Sequence, residues 1–138
     1  MASTWPVLRR YDEDHLLRVT LPIGGIGTGT VSLGVRGNRR DGEVVNRPAK
    51  GFSPGPTFFV LRARPAGGEA VTRAIEGPLD PAEYEGASGS PAQNHGLPRF
   101  RRASFAAAYP LGQLTLSDPA VPIGVTLQAF NPLVPAEP

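Results

Sequence analysis

The 138-residue sequence contains no cysteine. Disulfide bonds, thiolate nucleophiles and cysteine-ligated metal sites are therefore excluded. It also has no apolar run close to the ~20 residues that a membrane-spanning helix requires. Residues Met1 to Arg18 lack the apolar segment of a secretory signal peptide. We therefore expect a soluble, cytoplasmic protein.

Charge and histidine are also scarce. Charged residues make up 19% of the chain and the formal net charge is only +2. Nucleic-acid-binding surfaces concentrate positive charge, whereas the basic residues here are scattered apart from short arginine runs. The two histidines, His15 and His95, lie too far apart in sequence to suggest a metal site. We expect no nucleic-acid partner, no metal and no cofactor.

Glycine and proline are abundant, with 17 and 16 residues respectively. So many helix-breaking residues leave little room for long helices. Short strand-like segments occur between them, and the period-two pattern is clearest over Val121–Phe130, where Leu127 and Ala129 share a face. The length fits one domain or part of one. The sequence therefore predicts an all-β fold, an antiparallel β-sandwich.

Individual segments refine this prediction. Thr57–Arg64 and Glu69–Ile75 are predicted to form a hairpin around the turn Pro65–Gly68. Asn38–Gly42 is predicted to be a polar turn, with a short strand over Glu43–Asn46. Further strands are predicted over Arg99–Tyr109, with a possible bend, and over Leu111–Ser117.

The stretch Leu21–Gly37 carries six of the glycines, interleaved with β-branched residues. Its Gly25–Gly29 portion resembles a phosphate-binding loop, but such a loop must open a helix whose N-terminus meets the phosphate. The following residues, Thr30–Arg36, are strand-like instead. The sequence favours a structural turn that leads into a strand.

Two acid pairs have a spacing that would place both carboxylates on one face of a strand: Asp41 with Glu43, and Glu83 with Glu85. Paired carboxylates perform acid and base chemistry in glycosidases. Nothing in the sequence indicates that either pair is buried, and exposed acids are ordinary. We therefore expect these acids to be solvated.

Four other residues are candidates for contacts with a partner or ligand. Arg47 and Lys50 lie in a loop stiffened by proline, where the alternatives are a presenting loop and a solvated turn. Asn94 and His95 lie in the long loop Glu76–Pro98. His95 is either packed within this loop or a partner contact, and we favour the packed interpretation.

The order of several segments along the chain is more specific than any one motif. These segments are Leu21–Thr30, Arg36–Asp41, Asn46–Phe52, Phe58–Phe59, Glu76–Leu79, Tyr84–Gly86, Asn94–Phe100, Tyr109–Leu111 and Leu127–Pro132. Together they resemble the N-terminal domain of glycoside hydrolase family 116, which contains bacterial β-glucosidases and the non-lysosomal glucosylceramidase.

The resemblance implies a β-sandwich that packs on a helical (α/α)6 catalytic domain. In that family a glutamate nucleophile and an aspartate acid/base, both in the helical domain, perform retaining hydrolysis. No position here matches either one, so residues 1–138 are expected to be a partial N-terminal domain that is inactive alone. Its implied role is to shape the catalytic cleft with loops, and Arg47, Lys50, Asn94 and His95 are the candidate contacts.

A stand-alone carbohydrate-binding module, with a glucoside as its ligand, is the alternative function. An incomplete sandwich would leave strand edges and apolar surface uncovered. We therefore also expect oligomers or poor solubility.

Overall fold

The computed structural model describes residues 9–24, 29–43, 47, 52, 55–85, 92 and 94–132. Over these residues the chain is all-β, and all of its strand pairs are antiparallel, which confirms the predicted class. The strands are β1 Arg9–Tyr11, β2 Thr20–Pro22, β3 Thr30–Gly34, β4 Arg39–Glu43, β5 Val60–Ala63, β6 Val71–Ala74, β7 Arg102–Ala108, β8 Leu111–Ser117 and β9 Val125–Phe130. Two 3₁₀ turns lie at Glu13–His15 and Pro81–Glu83. None of the described helical segments has the length and apolar character needed to cross a bilayer.

The strands of the described residues form three sheets with the orders β1-β7-β8-β9, β2-β3-β4 and β5-β6. The first two share one hydrophobic core, in which Leu21 and Leu33 of the three-stranded sheet join Phe105, Leu114 and Leu116 of the four-stranded sheet. Phe105 is only 1% exposed, and burial of such a side chain contributes about 1.5–3 kcal/mol. Two sheets that pack through a common core have the layer arrangement of a β-sandwich.

Glycine allows the two sheets to approach closely at Gly112 in β8. A Cβ atom at this position would lie 2.5 Å from Leu21 Cδ2 of the facing sheet and 2.8 Å from Phe105 Cζ. Both distances are shorter than side chains tolerate in a packed core. The absence of a side chain at this position therefore determines how near the sheets lie.

The prediction of a polar turn over Asn38–Gly42 is wrong, because these residues mostly belong to β4. The chain reverses just before them, where Gly37 has a φ of 98° and Gly34 N–H donates to the Asn38 carbonyl at 2.7 Å. A positive φ is easily adopted only by glycine. The predicted strand Glu43–Asn46 overlaps β4 at Glu43, and residues 44–46 lie outside the described residues.

The predicted hairpin over residues 57–75 is confirmed, with β5 paired to β6 and Gly68 N–H donating to the Pro65 carbonyl at 3.1 Å. Strand β8 has the predicted bounds, whereas β7 and β9 begin later than predicted. After the Gly25–Gly29 portion of the glycine-rich stretch, Thr30–Gly34 forms strand β3 and not the helix that a phosphate loop requires. Residues 25–28 of that stretch lie outside the described residues.

Candidate functional site

Three segments distant in sequence lie side by side at one end of the sheets: the turn at Arg36, residues 74–77 and residues 98–100. Backbone hydrogen bonds join them, from Gly77 N–H to the Arg36 carbonyl (2.6 Å), from Phe100 N–H to the Glu76 carbonyl (3.0 Å) and from Ala74 N–H to the Pro98 carbonyl (2.7 Å). Because each backbone is fixed against its neighbour, the side chains of these segments have defined positions.

A buried ion network fills the junction of these segments. Glu76 Oε2 accepts from Arg36 Nη1 at 2.7 Å and from Arg99 Nε at 2.9 Å, and each of these three side chains is only 6% exposed. Arg36 Nη2 also lies 3.4 Å from Glu83 Oε1. Two guanidinium groups thus meet two carboxylates, so the buried charges are compensated, as burial requires.

Arg99 also organises the loop that precedes it. Its guanidinium donates to the backbone carbonyls of Asn94 (2.8 Å), His95 (3.3 Å) and Leu97 (3.3 Å). Asn94 has a φ of 56°, a left-handed conformation that asparagine tolerates better than most residues. The carbonyls of the loop therefore face a buried cation, while the His95 side chain is exposed.

A groove of about 240 Å³ lies above this network. Its lining residues are Pro78, Leu79, Tyr84, His95, Leu97, Arg99, Phe100 and Arg101. Tyr84 is 51% exposed and His95 is also exposed. The prediction that His95 is packed is therefore wrong, because Arg99 binds the backbone of its loop and leaves the imidazole at the rim. We call this feature the His95 groove.

Of the three candidate contact residues that the structure describes, Asn94 and His95 are neighbours and Arg47 lies apart from the groove lining. Asn94 and His95 are neighbours on the loop that borders the His95 groove. Arg47 is exposed and is not among the residues that line this groove. Lys50 lies outside the described residues. Sequence reasoning missed Glu76, Arg99 and Tyr84 as members of the site, although all three lie in the segments that carried the family resemblance.

A second groove, of about 460 Å³, opens between β3 and β9. Its lining is mostly apolar: Ile23, Val31, Leu33, Arg39, Phe59, Leu127, Gln128, Ala129 and Phe130. Phe59 and Phe130 are 60% and 62% exposed. Leu127 and Ala129, which form the predicted apolar face, are half-buried: they pack against the hydrophobic core and also line this partly open groove.

The acids considered for acid and base chemistry have structural partners. Asp41 is 8% exposed and its Oδ2 accepts from Thr20 Oγ1 at 3.0 Å. Glu83 Oε2 accepts from the Asp80 N–H at 3.2 Å, in addition to the contact with Arg36. The expectation that these two acids are solvated is therefore wrong. In the described part of the chain, no three histidine or acidic side chains are grouped so that they could hold a metal ion.

Two further acids, Asp118 and Asp12, have a pKa below the ordinary value for aspartate. Burial of Asp118 raises its pKa, but the hydrogen bonds from Ala120 N–H (2.8 Å) and Arg73 Nε (3.1 Å) outweigh burial and hold the pKa below 3.8. At the surface, His15 Nδ1 lies 2.6 Å from Asp12 Oδ1. This hydrogen bond raises the pKa of His15 above 6.5 and lowers that of Asp12 below 3.8.

Comparison with protein families gives a match over residues 20–138, described as "beta-glucosidase 2, glycosyl-hydrolase family 116 N-term". The match begins at the first residue of β2 and includes the ion network and both grooves. It confirms the resemblance carried by the order of the segments. No curated protein matches the chain.

Proposed function

The chain belongs to the N-terminal domain of glycoside hydrolase family 116, and from this membership we propose that it is a non-catalytic accessory domain. In this proposal it packs on a helical catalytic domain and shapes the substrate cleft of that domain. The observation that carries the proposal is the His95 groove, where Tyr84 and His95 are exposed above a network of paired charges. The exposed side chains at this rim can contact a partner domain, and the buried ion network beneath them holds their backbone in place.

The environment of the buried acids supports a non-catalytic role. A retaining glycosidase needs two carboxyl groups about 5–5.5 Å apart, one as nucleophile and one as acid and base. The carboxylates of Glu76 and Glu83 are engaged by arginine, and that of Asp41 accepts from a threonine hydroxyl. If one of these carboxylates donated a proton to a substrate or attacked it, the carboxylate would leave contacts that stabilise the fold. We therefore expect no turnover by this chain alone.

Assays of the purified chain, alone and with a family 116 helical domain, test this proposal. With an aryl β-glucoside we expect no turnover by the chain alone and saturable binding to the helical domain by calorimetry. Tyr84→Ala and His95→Ala should each weaken that binding by about tenfold, the effect of about 1.4 kcal/mol at an interface contact. Glu69→Ala, at an exposed site in the β5–β6 turn, is the matched control and should leave binding unchanged.

Two results would contradict the accessory role. Turnover by the chain that survives dilution and repurification would show that it is an enzyme itself. Failure of the helical domain to bind the chain would remove the proposed partner. The cytoplasmic location stays a prediction, and fractionation of cells that express a tagged chain would test it.

The exposed aromatic side chains favour a second candidate, a stand-alone carbohydrate-binding module. Such modules bind sugars on exposed aromatic rings, and Tyr84, Phe59 and Phe130 are each more than half exposed. In this case the isolated chain should bind a glucoside saturably without the helical domain. Tyr84→Ala or Phe130→Ala should abolish that binding, depending on which groove holds the sugar. No heat of binding at millimolar glucoside would exclude this candidate.

A further inference from the structure

Strand β9 is the last strand of the four-stranded sheet. It pairs with β8 on one side, and among the described residues no strand pairs with its other edge. Proteins usually protect such an edge with a charged side chain, a proline or a bulge. The sequence of β9, VTLQAF, contains no charge and no proline, and its pairing with β8 is regular over six residues. The edge is therefore suited to pair with another strand.

One hydrogen bond shows which backbone groups of β9 point away from β8. Asn131 N–H donates to the Pro110 carbonyl at 2.9 Å, in the same register as the β8–β9 ladder. Opposed residues of an antiparallel ladder alternate between hydrogen-bonded and non-hydrogen-bonded pairs. Ala129, Leu127 and Val125 therefore bond to β8. The N–H and C=O groups of the intervening residues, Thr126, Gln128 and Phe130, point away from it.

The β5–β6 hairpin follows the same alternation. Ile75 N–H donates across the pair to the Phe59 carbonyl, while the adjacent Ala74 N–H points outwards and donates to the Pro98 carbonyl. The outer edge of β6 therefore has a partner in the chain, whereas the outer edge of β9 has none among the described residues.

We propose that the β9 edge pairs antiparallel with β9 of a second copy of this chain, across a two-fold axis at Gln128. In this register Gln128 faces Gln128 of the second copy, Thr126 faces Phe130, and Leu127 faces Ala129. The three outward-pointing residues of each copy then form about six backbone hydrogen bonds. The pairing joins two four-stranded sheets into one continuous sheet of eight strands.

Side-chain chemistry favours a second copy as the occupant. Residues that face each other in an antiparallel pair lie on the same side of the sheet, so this register places apolar Leu127 against Ala129 and keeps both Gln128 side chains on the exposed face. Because β9 is uncharged, pairing with a second β9 brings no like charges together. A charged partner strand would gain no electrostatic attraction from pairing with β9. A two-fold contact requires such a self-complementary surface.

The adjoining groove adds area to the same contact. Leu127, Gln128, Ala129 and Phe130 all line the apolar groove between β3 and β9, and Phe130 is 62% exposed. In the proposed register Phe130 lies beside Thr126 of the second copy at each end of the interface. Apolar surface at the rim of the groove is thereby removed from water, which contributes about 25 cal/mol per Å².

Sedimentation over a concentration series tests the proposal with a matched pair of variants. Gln128→Pro removes one outward N–H and leaves the ladder to β8 intact, whereas Gln128→Ala removes the side chain and keeps the N–H. We expect the native chain and Gln128→Ala to dimerise. Gln128→Pro should raise the dimer dissociation constant by about tenfold or more, because it loses a hydrogen bond in each half of the interface.

A second pair of variants does not depend on proline. Gln128→Lys places two like charges directly opposite each other at the axis and should also weaken the dimer, since opposed like charges destabilise strand pairs. Thr115→Lys puts the same charge on the exposed face of β8, one strand inside the edge, and should retain the dimer. Circular dichroism must show that each variant is folded.

Amide hydrogen exchange identifies the interface. The amides of Thr126, Gln128 and Phe130 should become protected as the concentration rises, while amides of the β5–β6 hairpin keep their exchange rates. A native chain that is monomeric throughout the series would overturn the proposal. A dimer in which these three amides exchange freely, or one that Gln128→Lys does not weaken, would also overturn it.

Discussion

Glu76→Gln is the substitution that should reveal how much the buried ion network contributes to stability. Glutamine has nearly the same volume as glutamate, so the change creates no cavity and removes only the charge. The carboxylate accepts from Arg36 at 2.7 Å and from Arg99 at 2.9 Å, and all three side chains are 6% exposed. After the substitution Glu83, 3.4 Å from Arg36, still supplies a carboxylate to the part of the network that the structure describes.

The expected cost follows from the two guanidinium groups that remain buried. Removing one partner of a buried ion pair typically destabilises a protein by 3–5 kcal/mol, because the other charge loses its compensation. The amide oxygen can still accept one hydrogen bond and Glu83 still pairs with Arg36, so we expect the lower end, about 3 kcal/mol. For a chain of this size that corresponds to a fall in Tm of about 6–12 °C.

Urea and thermal unfolding followed by circular dichroism would measure this loss. Glu69→Gln is the matched control, because Glu69 is exposed in the β5–β6 turn. It should change the free energy of unfolding by no more than about 0.5 kcal/mol. If Glu76→Gln also costs less than about 1 kcal/mol, the network is not a buried, compensated one and the argument fails.

Three further predictions concern titration and backbone conformation. The pKa of Asp118 is lower in the folded chain than 3.8, so its ionisation stabilises the fold above pH 3.8, and this stabilisation is lost as the pH falls through the folded pKa. Asp118→Asn should therefore remove this decrease of the urea unfolding midpoint at acidic pH. The pKa of His15 is raised in the folded chain, so its protonation stabilises the fold below pH 6.5, and this stabilisation is lost as the pH rises through the pKa of folded His15. Asp12→Asn should return that pKa towards 6.5 in an NMR titration of the imidazole. Gly37→Ala should cost about 1–3 kcal/mol more than Gly67→Ala in unfolding experiments. Both glycines have positive φ, but only at Gly37 would a Cβ meet atoms at 2.8 Å; equal losses would contradict this reasoning.

Local sequence patterns predicted those strands whose alternating residues and flanking turns lie within one short segment. Proline and glycine bracket the β5–β6 hairpin, and β8 has the predicted bounds. Alternation along β9 placed Leu127 and Ala129 on one face, as observed. The order of the segments likewise led to the family. Periodicity and turn chemistry involve neighbouring residues, so the sequence alone contains them.

Tertiary structure decided which polar residues are buried and which are exposed. Arg36 and Glu76 are 40 positions apart, and nothing near either residue in the sequence signals that they pair. The same convergence places Arg99 beneath the loop of residues 94–97 and leaves His95 at the rim, contrary to the packed position predicted for it. Burial of a charge depends on which distant segment compensates it, and that information arises only when the sheets pack together.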